Sequence, residues 1–172
     1  MFETEEDTKT ADTGEFTINN GLLTKYTGTA ETVTIPSNVR RIGESAFQNN
    51  KYIKSVIIPG NVRKIEMLAF YGCSNLESVT MAEGVEEIGM QTFSETHLKS
   101  VVLPKSIIKM DRLVFTSCNR LISIDFTEGT YNINGDIIGS CAALTEIKVS
   151  GNNTRYQVKD NVLYEKNGKT VC

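Results

Sequence analysis

Past an acidic start, the chain sets apolar and polar residues in an order that keeps returning. "VTIPSNVRRIGESAFQNNKYIKS" (33–55) is followed by "VIIPGNVRKIEMLAFYGCSNLES" (56–78) and by "VTMAEGVEEIGMQTFSETHLKS" (79–100), which is one residue shorter. "VVLPKSIIKMDRLVFTSCNRLIS" (101–123) and a weaker "IDFTEGTYNINGDIIGSCAALTE" (124–146) continue the series. "IKVSGNNTRYQVKDNVLYEKNGK" then begins a sixth unit that drifts away. The shared skeleton is V-x-I-P-x-x-V-x-x-I-x-x-x-A-F-x-x-C-x-x-L-x-S. A period near 23 residues is short for a pair of packed helices and marks a solenoid. Each unit is then one coil, able to bury its apolar face only against its neighbours.

Within a unit, L-x-S-V-x-I alternates with period two, the pattern of a strand with one buried face. Proline closes the strand, because it has no N–H for a further ladder bond. V-x-x-I predicts a second short extended segment. "ESAFQN", "MLAFYG" and "RLVFTS" are too short for a helix and predict a helical turn that points Phe inward. Stacked in register, the strands form parallel ladders about 4.8 Å apart. The expected fold is a β-rich solenoid of the leucine-rich-repeat class, with five to six coils, short helical turns and a hairpin cap at each end.

Stacking converts equivalent positions into columns. Phe47, Phe70, Phe93 and Phe115 form an aromatic spine with Ile138 as its fifth member, and Ile42, Ile65, Ile88, Met110 and Ile133 form a second column. Glu31, Lys54, Glu77 and Lys99 alternate in sign from coil to coil, which favours neighbours in register and penalises a slip. "EFTINNGLLTKYTG" holds Asn20-Gly21 between two short strands, a hairpin signal suited to an N-terminal cap. Asn167-Gly168 occupies a similar place near the other end, and the chain stops soon after it. The chain thus divides into an acidic disordered linker (1–15) and one repeat domain (16–172). The domain comprises an N-terminal cap (16–32), repeats (33–146) and a degenerate repeat with a C-terminal hairpin (147–172).

The repeat IP-x-x-V-x-x-I-x-x-x-A-F-x-x-C-x-x-L-x-S-V resembles the BspA-like leucine-rich repeat. The flanks "FTINNGLLTKYTGTAETVTIP" and "YQVKDNVLYEKNGKTV" are similar to segments that border such arrays. The resemblance covers roughly Phe16 to Cys172. It implies a solenoid exposed on the surface of bacteria or microbial eukaryotes, secreted or surface-held, binding host or neighbouring-cell proteins. Host extracellular-matrix and plasma proteins are then candidate partners. The pattern weakens where Ala82 and Thr127 replace Pro and where Thr130 stands in place of Val or Ile.

Charge adds a boundary and removes a class of partner. Residues 1–15 hold six acids and one base, a local −5 within a net −3, so the remainder carries about +2 by subtraction. That is too little for a nucleic-acid binder. The leader has only Phe2 as a large apolar residue and cannot bury itself. It also lacks the apolar stretch of a signal peptide, so any export signal would lie upstream. No apolar run approaches a bilayer span.

Candidate chemistry is sparse. Cys73, Cys118 and Cys141 share one repeat position and stack as a buried column. Cys73 lies two coils from Cys118, roughly 10 Å away, too far for one zinc. These thiols read as reduced, small buried hydrophobes, with parallel Cβ vectors that disfavour a Cys118–Cys141 disulfide. Cys172 is expected to be free. His97 is the only histidine and is expected in an exposed loop; no phosphate loop or nucleophile elbow accompanies it. Asp125 and Glu146 lie on neighbouring strands, but Lys148 in the Asp125 column should pair with it and lower a carboxylate pKa rather than raise it. Arg40, Arg41, Arg63 and Lys64 line one edge, with Glu86 and Glu87 beside the latter two, which reads as a solvated charge ladder. No enzyme, metal or cofactor is implied.

What remains is a surface. The residue between Val and Ile of each strand points off the core and gives a column of Thr34, Ile57, Thr80, Val102, Asp125 and Lys148. Beside it run Thr32, Ser55, Ser78, Ser100, Ser123 and Glu146. Ile57, Thr80 and Val102 mark the centre of a candidate protein-binding face on a monomeric array. Two other readings are a carbohydrate-binding or carbohydrate-active surface protein, with Tyr131 and Tyr156 as candidate sugar-stacking aromatics, and a passive spacer for another domain.

Overall fold

The period-two alternation becomes one longer strand per coil. The computed structural model describes residues 14–129 and 132–171; the linker up to residue 13, Thr130, Tyr131 and Cys172 lie outside the described residues. The chain opens with β1 (Phe16–Asn19) and β2 (Leu22–Tyr26) and then alternates long and short strands. The first three coils supply β3 (Thr32–Thr34), β4 (Arg41–Ile42), β5 (Ser55–Ile58), β6 (Lys64–Ile65), β7 (Ser78–Met81) and β8 (Glu87–Ile88). The next two supply β9 (Ser100–Val102), β10 (Lys109–Met110), β11 (Phe115–Thr116), β12 (Ser123–Phe126), β13 (Asn132–Ile133) and β14 (Ile138–Gly139). β15 (Glu146–Val149), β16 (Tyr156–Lys159) and β17 (Val162–Glu165) end the described fold.

The coils stack in parallel register as the period requires. Val33, Val56 and Val79 are successive partners, as are Val101, Ile124 and Ile147. The short V-x-x-I strands form a second sheet in the order β1-β2-β4-β6-β8-β10-β13. Between the sheets lies one continuous core, from Ile18 to Val171. The aromatic spine is stacked, with ring centroids 4.6 Å apart for Phe47–Phe70, 5.5 Å for Phe70–Phe93 and 5.8 Å for Phe93–Phe115. The cap lengthens it by two rings, Tyr26 at 5.0 Å from Phe47 and Phe16 at 4.8 Å from Tyr26.

The helical turns expected around Ala-Phe are not formed, and no α-helix occurs among the described residues, so none there is long and apolar enough to cross a membrane. The backbone alternates its partners instead. Gln48 N–H donates to Ser45 O (3.1 Å) and Asn50 N–H to Phe47 O (3.0 Å) within the coil. Phe47 N–H donates to Ala69 O and Asn49 N–H to Tyr71 O, both 2.8 Å, in the next coil. A helix would consume those outward donors locally; the solenoid uses them to bind coil to coil. Left-handed residues at Ser45, Leu68, Gln91 and Leu113 (φ 54–62°) interrupt any helical path.

Both ends are closed by antiparallel hairpins. Asn20 and Gly21 take positive φ (48° and 75°), as a two-residue turn of this kind requires. At the other end the β16–β17 turn falls on Asp160-Asn161 (φ 50° and 58°). Asn167-Gly168 makes a further turn that returns the chain onto β17, where Thr170 bridges Tyr164 and Val171 N–H donates to Leu163 O at 2.9 Å.

The long-strand ladder is split. β3-β5-β7 form one sheet and β9-β12-β15 another, with no ladder between β7 and β9. A bond of 3.2 Å from Lys99 N–H to Glu77 O holds the entrance to the gap. The third unit lost its one residue just ahead of β9, in the stretch from Phe93 to Leu98. The break in the long-strand ladder follows directly on that shortened stretch.

Candidate partner-binding surface

The open-face column exists, in two halves. Thr34, Ile57 and Thr80 are register partners, and so are Val102, Asp125 and Lys148. Ile57 is 40% exposed and Val102 62%, so both apolar side chains meet solvent. Ser55 and Ser78 on one side of the break, and Ser100 and Ser123 on the other, line the parallel strip. Such short side chains leave the isoleucine and valine uncovered.

The break itself forms a cleft of about 440 Å3 bordered by Ser78, Thr80, Ser100 and Val102. Its floor is fixed by Glu83, whose carboxylate accepts the Lys105 and Ser106 N–H groups at 3.1 and 3.0 Å. Ser106 Oγ accepts from Gly84 N–H (2.8 Å) and donates to Val85 O (2.7 Å). Side chains therefore join the third and fourth coils where the backbone ladder does not.

Charged groups border this face as the columns foretold. Lys54 pairs with Glu31 at 2.7 Å and Lys99 with Glu77 at 2.6 Å. The Lys99 hydrogen bond holds the Glu77 carboxyl below the usual carboxylate range. Arg120 adds a contact to Glu77 at 3.8 Å. Ile122 occupies the next position of that column in the repeat alignment, where the sign alternation ends, and is 52% exposed. Asp125 and Lys148 are register partners, yet the Lys148 ammonium bridges Glu146 at 3.1 Å rather than Asp125. Glu146 and Lys148 lie two residues apart on one strand face, where a flexible lysine folds back onto its own neighbour.

The remaining candidates resolve into structure. Cys73 and Cys118 are buried, Cys141 is half-buried rather than inaccessible, and all three are free thiols. Each donates to the carbonyl of the spine residue one coil earlier: Cys73 to Phe47 O (3.1 Å), Cys118 to Phe93 O (3.1 Å), Cys141 to Phe115 O (2.9 Å). Burial pushes the Cys73 thiol up to about 12, and the hydrogen bond with Cys141 together with burial pushes the Cys118 thiol up as well. Among the described residues no group of three or more His, Cys, Asp or Glu side chains could hold a metal ion. His97 is half-buried rather than exposed. Tyr156 is 1% exposed, its hydroxyl accepting the Ile133 N–H at 3.1 Å, so it offers no platform for a sugar. Tyr131 lies outside the described residues. On the opposite edge Arg63 pairs with Glu86 (3.1 Å) and Lys64 with Glu87 (3.2 Å), the expected charge ladder.

The repeat pattern matches the model of the BspA type leucine rich repeat region, in six copies, over residues 17–76 and 42–167. The chain belongs to that family. Among solved structures it is similar to a leucine-rich repeat protein from Eubacterium ventriosum, with 25% identity and a TM-score of 0.76 over 87% of this chain and 43% of that one. A leucine rich cell surface protein from Faecalibacterium prausnitzii is also 25% identical, with a TM-score of 0.50 over 96% of this chain and 61% of that one. The leucine rich repeat protein of T. pallidum shares the fold at 23% identity and a TM-score of 0.59, covering 81% of this chain and 82% of its own. This BspA-type chain thus spans less than half the length of the Eubacterium protein. No match was found among curated proteins.

Proposed function

We propose that residues 16–172, behind the acidic linker 1–15, are a non-enzymatic protein-binding module, adhesin-like and displayed on or secreted from a cell. The module is a monomer with an N-terminal cap (16–32), repeats (33–146) and a C-terminal segment (147–172). Its partners are surface proteins of host or neighbouring cells, with extracellular-matrix and plasma proteins as the first class to test. The contact is centred on Ile57, Thr80 and Val102, with Thr34, Asp125 and Lys148 at its ends. The supporting observation is a pair of solvent-facing apolar side chains set in a strip of hydroxyls, astride a cleft in an otherwise regular ladder. Apolar anchors ringed by small polar groups suit a protein partner, because they exclude water at the centre while the rim remains wettable. The family, and the similarity to a Faecalibacterium cell surface protein, support the location.

The test is binding of the purified chain to immobilised matrix and plasma proteins, compared with an Ile57→Asp/Val102→Asp variant whose fold is verified by circular dichroism. Binding by the wild type and its loss, by tenfold or more, in the variant is the expected outcome. Equal binding by both would move the contact off this face, and no binding to any panel member would favour a spacer.

A further inference from the structure

On the far side of the coils a groove of about 840 Å3 crosses the array where each short strand turns into the Phe-bearing segment. Its middle is formed by Met67 and Met90, both half-buried. Three charged side chains inside it are already engaged. Glu66 meets Arg41 at 3.7 Å, Lys64 meets Glu87 at 3.2 Å, and Asp111 meets Lys109 at 3.8 Å and the Asn134 side-chain amide at 3.0 Å. Two are not. Among the described residues neither the Glu44 carboxylate at one end nor the Arg112 guanidinium toward the other has an ion pair or side-chain hydrogen bond, and both are exposed.

Glu44 and Arg112 belong to the first and fourth coils, three steps apart. At about 4.8 Å per step they stand roughly 14 Å from each other along the groove. An extended peptide advances about 3.4 Å per residue and turns alternate side chains to one face, so residues i and i+4 span that same distance on one side, with i+2 between them. We propose that this groove binds an extended peptide segment of a partner protein carrying a cation, an apolar residue and an anion at i, i+2 and i+4. The cation pairs with Glu44, the apolar residue rests on Met67 and Met90, and the anion pairs with Arg112. Flexible thioethers adapt to aliphatic side chains of different shapes, so the apolar residue is loosely specified while the two charges set the preference. This site is separate from the Ile57–Val102 face and does not depend on it.

The experiment uses four acetylated, amidated synthetic peptides at low ionic strength: AKSLSDA, AKSLSKA, ADSLSDA and AKSSSDA. Binding is followed by amide and methionine-methyl shifts in the NMR spectrum of the whole chain. For the wild type, AKSLSDA should perturb Glu44, Met67, Met90 and Arg112, and should bind about two- to five-fold more tightly than each of the other three. Glu44→Lys should transfer the preference to ADSLSDA, and Arg112→Glu should transfer it to AKSLSKA. Both variants change exposed side chains, and unchanged circular dichroism shows that the coil survives. Equal affinity for all four peptides, perturbations elsewhere, no perturbation at millimolar peptide, or variants that fail to exchange preference would each overturn the proposal.

Discussion

Replacing Phe70 by alanine would test whether the stacked spine holds the coils together. Phe70 is fully buried, its ring lying between Phe47 at 4.6 Å and Phe93 at 5.5 Å in near-parallel planes. Truncation would remove the transfer energy of the ring and leave a cavity that the flanking backbone cannot close. Phe70 N–H is tied to Thr92 O and Phe47 N–H to Ala69 O, so adjacent coils are pinned at the hydrogen-bonding distance. The cost is about 3–5 kcal/mol for a buried Phe→Ala, toward the upper end because two aromatic contacts are lost. At about 2–4 °C per kcal/mol for a chain of this size, the melting temperature should fall by roughly 6–20 °C. Position in the stack supplies the control. Proximity to the cap suggests a smaller loss at Phe47, but Tyr26 and Phe16 continue the spine beneath it, so Phe47→Ala should cost nearly as much. The smaller loss belongs to Phe115, whose upper neighbour is the half-buried Ile138 rather than another ring. Urea titration followed by far-ultraviolet circular dichroism gives all three values. A Phe70→Ala change within about 1 kcal/mol of wild type, or a loss at Phe115 exceeding that at Phe70, would refute the reasoning.

Three further outcomes are expected. The Cys73 thiol is raised from an ordinary value of 9.0 to about 12, so the neutral form is favoured in the fold; the stabilisation is complete below pH about 9 and is lost as pH rises toward 12. Cys73→Ala should therefore lose less stability than wild type between pH 9 and 11 in paired urea titrations. In native thiol labelling read by peptide mass, Cys141 should react before Cys73 and Cys118, and all should react on denaturation. Gly84 has φ +123° and faces the Gly60 carbonyl, which a Cβ would strike, so Gly84→Ala should destabilise by more than about 1 kcal/mol in the same assay.

Period, columns and register were legible in the sequence because a solenoid repeats one local rule; the Phe, Ile and Val positions carry that rule openly. The turns around Ala-Phe were not, since Leu68 and Leu113 give no sign that they adopt positive φ. That conformation is imposed by hydrogen bonding to the neighbouring coil, which no single unit displays. The split between Thr80 and Val102 left a trace in the shortened third unit, but a deletion on a loop says nothing of which strand yields. Side-chain choice was the least legible. Lys148 selected Glu146 over Asp125 and Tyr156 turned inward to meet Ile133, decisions made by distances of a few ångströms. The groove between Glu44 and Arg112 emerges only when the coils are laid on one another.

The interrupted ladder also has a mechanical meaning. A solenoid pulled along its axis behaves as springs in series, and extension concentrates in the softest joint. Here that joint is the β7–β9 step, held on the long-strand side by the Lys99–Glu77 contacts and by Glu83 and Ser106 rather than by a full set of ladder bonds. Under tension the first three coils and the later ones would separate as two stiff blocks, with the opening between Thr80 and Val102. A partner seated across Ile57 and Val102 would brace that joint, and enough force to open it would pull its two anchors apart, so tethering load and release would be set at the same place.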